Sequence, residues 1–313
     1  MRKIILLALV VAAMFVSCQE FEALIKDLEA EQKKAAGLDN PHFSAFLEPA
    51  KFQKNPAADK CFEGELASET KMNVLNLVNY IRGLHGLKPV EYNLADDKYA
   101  QKGAFLIAVN GALEHNPPKN WRCWSEDGYK GCNTSNIIGG TNAPFTPCQA
   151  VQIWLIDANV ESLGHRRWIL DPFLKTIAYG HVAAYNRYGG TLKVIGDASQ
   201  SASVDFVAYP FHEYPALLID LNWYLTFSVI QDRQNSWGNS GVDFSAAVVT
   251  VTGETGNKLA VTSVKHDNQG FGVPNFLSWK VRGLQKGTRY TVTVRNVKTA
   301  AGKKDYEYWF MIK

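Results

Sequence analysis

Apolar positions recur at helical spacing over SETKMNVLNLVNYIRGLHG, residues 68–86. Val74, Val78 and Ile81 share one face with Leu77 and Leu84 beside them, and Gly83 and Gly86 close the run, so the pattern predicts an amphipathic helix. KPVEYN reads as a short extended stretch. A second helix is expected over about 95–113, where Ala100, Ala104, Ala108 and Ala112 recur every fourth residue and would let another element approach closely. The polar, glycine-rich run from His115 to Phe145 shows no such period. A further helix then starts with a clear signal: Thr146 as N-cap, Pro147 in the first position, and Gln149 completing a capping box. Val151, Trp154, Leu155 and Ala158 should form its buried face. KTIAYGHVAAY and TLKVIGD follow as strands, joined around Gly189-Gly190, which gives mixed helix and antiparallel sheet.

The composition turns small and polar at GDASQSAS, residues 196–203, which places a boundary near 203. Beyond it lie seven short strand candidates: VDFVAYPF, WYLTFSVI, FSAAVVTVTG, LAVTSVKHD, FLSWKVRGL, RYTVTVRNV and YEYWFMIK. Short strands with turn signals between them argue for a β-sandwich. Leu284 and Tyr290 in GLQKGTRYTVTV resemble the tyrosine corner of fibronectin type III and immunoglobulin-like domains. The fold class expected is α+β, an α-β-α sandwich followed by an all-β sandwich.

At the other end, Arg2 and Lys3 precede an apolar run from Ile4 to Val16, then Ser17 and Cys18. That is the layout of an export signal and is too short to span a bilayer, which takes about 20 residues. Val16-Ser17-Cys18 resembles the bacterial lipobox, although Phe15 stands where leucine is usual; the resemblance implies lipidation of Cys18 and a membrane anchor. The expected organisation is a signal peptide over 1–17, a lipidated N-terminus with a helical and irregular spacer over 18–60, a first domain over 61–203 and a β-sandwich over 204–313. Export leaves Cys61, Cys123, Cys132 and Cys148 to form two disulfides with three possible pairings. The shortest loop favours Cys123–Cys132, leaving Cys61–Cys148. A four-cysteine zinc site is disfavoured because tight C-x-x-C pairs are missing.

The chain of 313 residues is 46% apolar and 20% charged, with a net charge of +3. So small a charge gives no case for a nucleic-acid partner. ALEHNPP (112–118), SNI (135–137) and GHRRWILDP (164–172), in that order behind LNLVNYIRGLHGLKPV (75–90), resemble the CAP superfamily of cysteine-rich secretory, antigen 5 and pathogenesis-related proteins. The resemblance covers about residues 68–195. It implies two histidines, His115 and His165, converging with two acidic residues on a shallow cleft. Where relatives carry Gly-Glu-Asn, this chain has Thr134-Ser135-Asn136, so Ser135 replaces one carboxylate unless Glu126 substitutes in space. Asp157, three residues after Trp154, matches the second acid, and Glu161 is its alternative.

Two imidazoles and two carboxylates would make a four-coordinate zinc shell, and an open position on such a metal would activate water. No H-E-x-x-H pair is present to strengthen that reading. Plainer roles compete with each assignment. His165 could bond backbone at a bend, and His115 could sit at a helix end near its dipole. Arg166 and Arg167 read as surface or ion-pair residues, Trp168, Ile169 and Leu170 as core, and His181 as a sheet-surface histidine.

The leading expectation is a cell-envelope binding protein whose cleft takes a lipid or sterol, a peptidoglycan fragment or a protein partner. A hydrolase using histidine and acid is the first alternative, though no G-x-S-x-G elbow or cysteine nucleophile is recognisable. A surface adhesin with a vestigial cleft is the second.

Overall fold

The computed structural model describes residues 26–27, 30–31, 33–34, 37–196 and 198–313. The expected signal peptide and Cys18 lie outside the described residues. The chain divides into two compact units, residues 1–44 and 45–313. In the first, the described residues between 26 and 34 are helical, and Asn40 caps the short 3-10 turn Pro41–Phe43 by accepting the amide of His42.

The second unit opens with a small antiparallel pair, β1 (Phe52–Lys54) and β2 (Glu65–Leu66). Helix α1 (Ser68–Leu84) buries Val74, Leu77, Val78 and Ile81, the face its spacing predicts. After β3 (Glu91–Tyr92), helix α2 (Asp97–Asn110) ends at Gly111, whose φ of 62° supplies the left-handed cap. Helix α2 stops before Ala112, so that alanine is exposed while Ala100, Ala104 and Ala108 are buried. The second helix of this region, α3 (Glu126–Asn133), arises inside the stretch that showed no period. Ser125 caps it through the amide of Gly128, with Glu126 and Asp127 in its first turn. Its Gly128 and Gly131 are poor helix formers. They are needed because a Cβ at Gly131 would run into the carbonyl of Tyr99 on α2.

Strands β4 (Ser135–Thr141), β5 (Thr176–Ala184) and β6 (Arg187–Lys193) join β3 in one sheet of order β3-β5-β6-β4, antiparallel except for β3–β5. Alternation along β5 sends Gly180 towards α2 and Tyr179 towards Trp154 of α4 (Pro147–Ile156). The alanine stripe of α2 lies directly on sheet glycines. A Cβ at Gly180 would meet the carbonyl of Ala100, and one at Gly189 the carbonyl of Ala104. Gly189 and Gly190 are therefore interior to β6 and do not form the expected turn. Tyr185 and Asn186 make it, both with positive φ, 52° and 57°. The capping box of Thr146 and Gln149 is present on α4. That helix ends at Ile156, which leaves Ala158 exposed rather than on the buried face.

After α5 (Gly164–Ile169) the chain returns through β5 and β6 of this sheet and then enters the sandwich. One sheet runs β10 (Val248–Gly253), β13 (Arg289–Thr299), β14 (Gly302–Ile312), β8 (His212–Tyr214). The other runs β11 (Val261–Asp267), β12 (Phe276–Val281), β9 (Leu225–Val229), β7 (Phe206–Tyr209). All seven predicted strands are present, with β8 added as a parallel partner of β14. Phe206 and Phe227 of one sheet contact Tyr306 and Tyr308 of the other, which makes the shared core. The Tyr290 hydroxyl accepts the amide of Gln285 at 2.9 Å, the corner hydrogen bond that the sequence suggested.

The cysteine pairing differs from expectation. Cys61 is bonded to Cys123, while Cys132 and Cys148 are buried thiols. Cys123 lies against the Ala58, Phe105 and Val109 cluster, whereas Cys132 packs with Leu106, Ile107 and Ile137. The two ends of the expected short loop thus enter different parts of the core. Burial pushes both thiols up to about 12. Peptide mapping after alkylation should find Cys132 and Cys148 unmodified in the native protein and modified after unfolding, with Cys61 and Cys123 needing reductant. Native labelling of Cys132, or a Cys123–Cys132 disulfide peptide, would contradict this arrangement.

Candidate functional site

Asp157 closes α4 in the left-handed region, φ 55°, where its amide bonds to the carbonyl of Ile153. Aspartate tolerates that conformation better than most residues. The turn directs its carboxylate at the start of α5. There Oδ2 accepts the backbone amides of His165 (3.0 Å) and Arg166 (3.2 Å). These are unpaired N–H groups of a helix N-terminus, where negative charge is stabilised. Oδ1 meets His165 Nδ1 at 2.7 Å. A carboxylate oxygen accepts, so Nδ1 is the donor, and in the neutral ring Nε2 then holds the lone pair. The Asp157 side chain is 1% exposed and that of His165 22%, so the carboxylate is hidden behind a ring that solvent reaches. The indole Nε1 of Trp223 donates to the Asp157 carbonyl and the Asn136 amide to the His165 carbonyl, fixing both backbones.

The two arginines beside His165 are buried rather than on the surface. Arg166 donates to the carbonyls of Leu155, Ile156 and Tyr224 and stacks on the Tyr209 ring at 3.9 Å. Arg167 donates to both Asp267 oxygens and the Gln269 carbonyl, and stacks on Phe276 at 4.2 Å. A third buried guanidinium, Arg82 of α1, donates to the carbonyls of Lys88, Ile169, Asp171 and Leu174. Burial lowers all three arginines, Arg82 to about 10. Guanidinium suits this role because its planar fork reaches several carbonyls at once. Trp168 is half-buried, whereas Ile169 and Leu170 are core as predicted.

His115 lies past α2 and is exposed. Its Nδ1 meets the carbonyl of Cys132, in the last turn of α3, at 2.9 Å. A carbonyl only accepts, so here too Nδ1 is the donor and Nε2 is left available. His115 is thus at a helix end, but that of α3 rather than α2. The two histidines hang on either side of the α3–β4 connection, His115 from Cys132 and His165 through Asn136.

The structure brings only one of the candidate acids to a histidine. Glu126 is exposed in the first turn of α3, and Glu161 is exposed and paired with Lys265. Ser135 is buried, and its hydroxyl has no hydrogen-bond partner among the described residues. His181 is a core residue and not a sheet-surface one. Its ring meets the Tyr179 hydroxyl at 3.1 Å and the Phe145 ring, and burial lowers it to about 4.

A zinc shell does not fit these residues. Among the described residues no group of three or more His, Cys, Asp or Glu side chains is placed to share an ion, and the neutral Ser135 stands where the resemblance puts the first of the two acids. What the arrangement supplies is a partly exposed imidazole, oriented by a buried carboxylate, with Nε2 not engaged by that carboxylate. Asn136, Trp223 and Arg82 escaped prediction as support for this site. Asn136 was within the recognised SNI, but the other two come from distant elements.

Residues 75–195 match the model of the Cysteine-rich secretory protein family, CAP. This segment is a CAP domain. An extracellular protein containing an SCP domain from Bacillus anthracis str. Ames is among the similar solved structures, at 18% identity, 41% coverage of each chain and a TM-score of 0.29. The match spans about two fifths of that chain's length. A comparison with curated proteins finds no match. No helix among the described residues is long and apolar enough to cross a membrane.

Within the CAP domain, Asp157→Asn should lower stability in urea by about 3 kcal/mol, because it weakens charge-assisted bonds to two amides and an imidazole. His165→Ala should cost about half as much, since both backbone amides keep their acceptor. Asp157→Asn within about 0.5 kcal/mol of the parent would refute the capping role.

Proposed function

We propose that this chain is an exported, lipid-anchored binding protein of the cell envelope whose CAP domain presents His165 to a ligand. The observation carrying the proposal is the Asp157–His165 pair, with its partly exposed ring and buried carboxylate. Such a pair offers a strong, directional hydrogen bond at Nε2. Among lipid, protein and cell-wall ligands, it suits the amide- and hydroxyl-rich fragments of peptidoglycan best. The anchor rests on Cys18 behind its charged and apolar leader.

The same pair would serve as a general base, which keeps a hydrolase as the second reading. Binding is favoured because the nearest family-motif hydroxyl, Ser135, is buried and adjacent to Asn136 on β4, so the two side chains leave opposite faces. Asn136 is the one that reaches α5. Ser135 is therefore not placed for the imidazole to activate.

Calorimetry with lysozyme-released muropeptides tests the proposal. His165→Ala should weaken binding by about tenfold or more, the equivalent of one hydrogen bond, and the muropeptides should stay intact by mass spectrometry. Unchanged affinity would remove His165 from the site. Cleavage abolished by His165→Ala would favour the hydrolase.

A further inference from the structure

A groove of about 370 Å³ runs along the seam between the CAP domain and the sandwich, and His165 is not among the residues that line it. Its volume falls within the roughly 300–1,000 Å³ of small-molecule sites. Trp168, Asp171 and Ser199 line it from the CAP side, and Gln234, Asn235 and Trp237 from a sandwich loop. Trp237 is 64% exposed, unusual for so large an apolar ring. Its indole lies on the backbone of Gly270, where a Cβ would meet the ring carbons, so the ring is held in place. Asn235 also fixes the loop, its side-chain oxygen accepting the amide of Trp237 at 3.0 Å.

Asp171 is 6% exposed, yet it lines the groove. Its Oδ1 accepts the amide of Phe173 at 3.0 Å, and no donor to Oδ2 is present among the described residues. Burial raises this carboxyl to about 6. The Gln234 side chain and the Asn235 amide nitrogen likewise make no hydrogen bond among the described residues. Among the described residues no lysine or arginine side chain lines the groove; the guanidinium of Arg82 is buried and occupied by backbone carbonyls, the Asp171 carbonyl among them.

An exposed indole resting on backbone, beside unpartnered amide and carboxyl groups and with no cationic side chain in the described lining, matches the chemistry of a neutral sugar. The apolar face of a pyranose covers an indole, while its hydroxyls donate and accept at the ring's edge. We propose that this seam groove is a binding site for neutral oligosaccharides, with Trp237 as the stacking platform and Asp171 as the hydroxyl acceptor. The site is separate from His165 and stands without the reading of that residue.

Tryptophan fluorescence and calorimetry on the full chain test it, with cellotetraose and tetra-N-acetylchitotetraose as neutral probes and oligogalacturonate as the anionic one. At least one neutral probe should bind saturably, and the anionic one at least tenfold more weakly. Trp237→Ala, exposed and not expected to unfold the protein, should weaken neutral binding at least tenfold, with Trp237→Phe in between. Asp171→Asn should also weaken it, and His165→Ala should leave it unchanged. The proposal fails if no neutral probe binds at millimolar concentration, if the anion binds equally well, if Trp237→Ala binds like the parent, or if His165→Ala abolishes binding.

Discussion

The candidate site depends on one carboxylate. Asp157 sits where α4 ends in a left-handed residue, and its two oxygens take two backbone amides of α5 and the ring of His165. Each partner satisfies a different need. The amides are orphan donors of a helix start, the ring requires a fixed tautomer to present one defined nitrogen, and the buried carboxylate requires donors to remain ionised. A helix only six residues long, Gly164–Ile169, has little stability of its own. Its position is therefore set from outside, by Asp157 at the start and by Arg82 on the carbonyls of Ile169 and Asp171 at the end.

The same segment joins the CAP domain to the sandwich. Arg166 spans from the end of α4 to the carbonyl of Tyr224, and Arg167 from α5 to Asp267. His85, at the end of α1, adds a buried bond to the carbonyl of Ala208 and another to the Tyr214 hydroxyl. Its burial lowers it to about 3, so it joins the halves as a neutral ring. GHRR thus does two things in adjacent residues, with one histidine turned towards solvent and two arginines tied into the second domain. The sandwich is in consequence a support for the CAP site, whatever it presents elsewhere.

Much of this was legible in the chain. The α1 face, the Thr146 capping box, the strands of the sandwich and the Tyr290 corner each follow from local spacing or a few adjacent residues. Asp157 as the partner of His165 came from the family pattern, a fixed offset from Trp154. What could not be read involves contacts across distant sequence. Helix α3 was hidden because its glycines serve close packing against α2 and dilute the helical signal. Gly189 and Gly190 looked like a turn because the sequence does not show the helix lying over them. The buried fate of Arg166 and Arg167 depends on carbonyls and rings from the sandwich, and the cysteine pairing on which core cluster each thiol enters.

The most direct measurement is the tautomer of His165. Long-range proton–nitrogen spectra, recorded where the ring is neutral, should show the proton on Nδ1 and a bare Nε2, and Asp157→Asn should disturb that state. A ring protonated at Nε2, or one divided between tautomers in the parent protein, would contradict the account, because the carboxylate would then not be holding the imidazole.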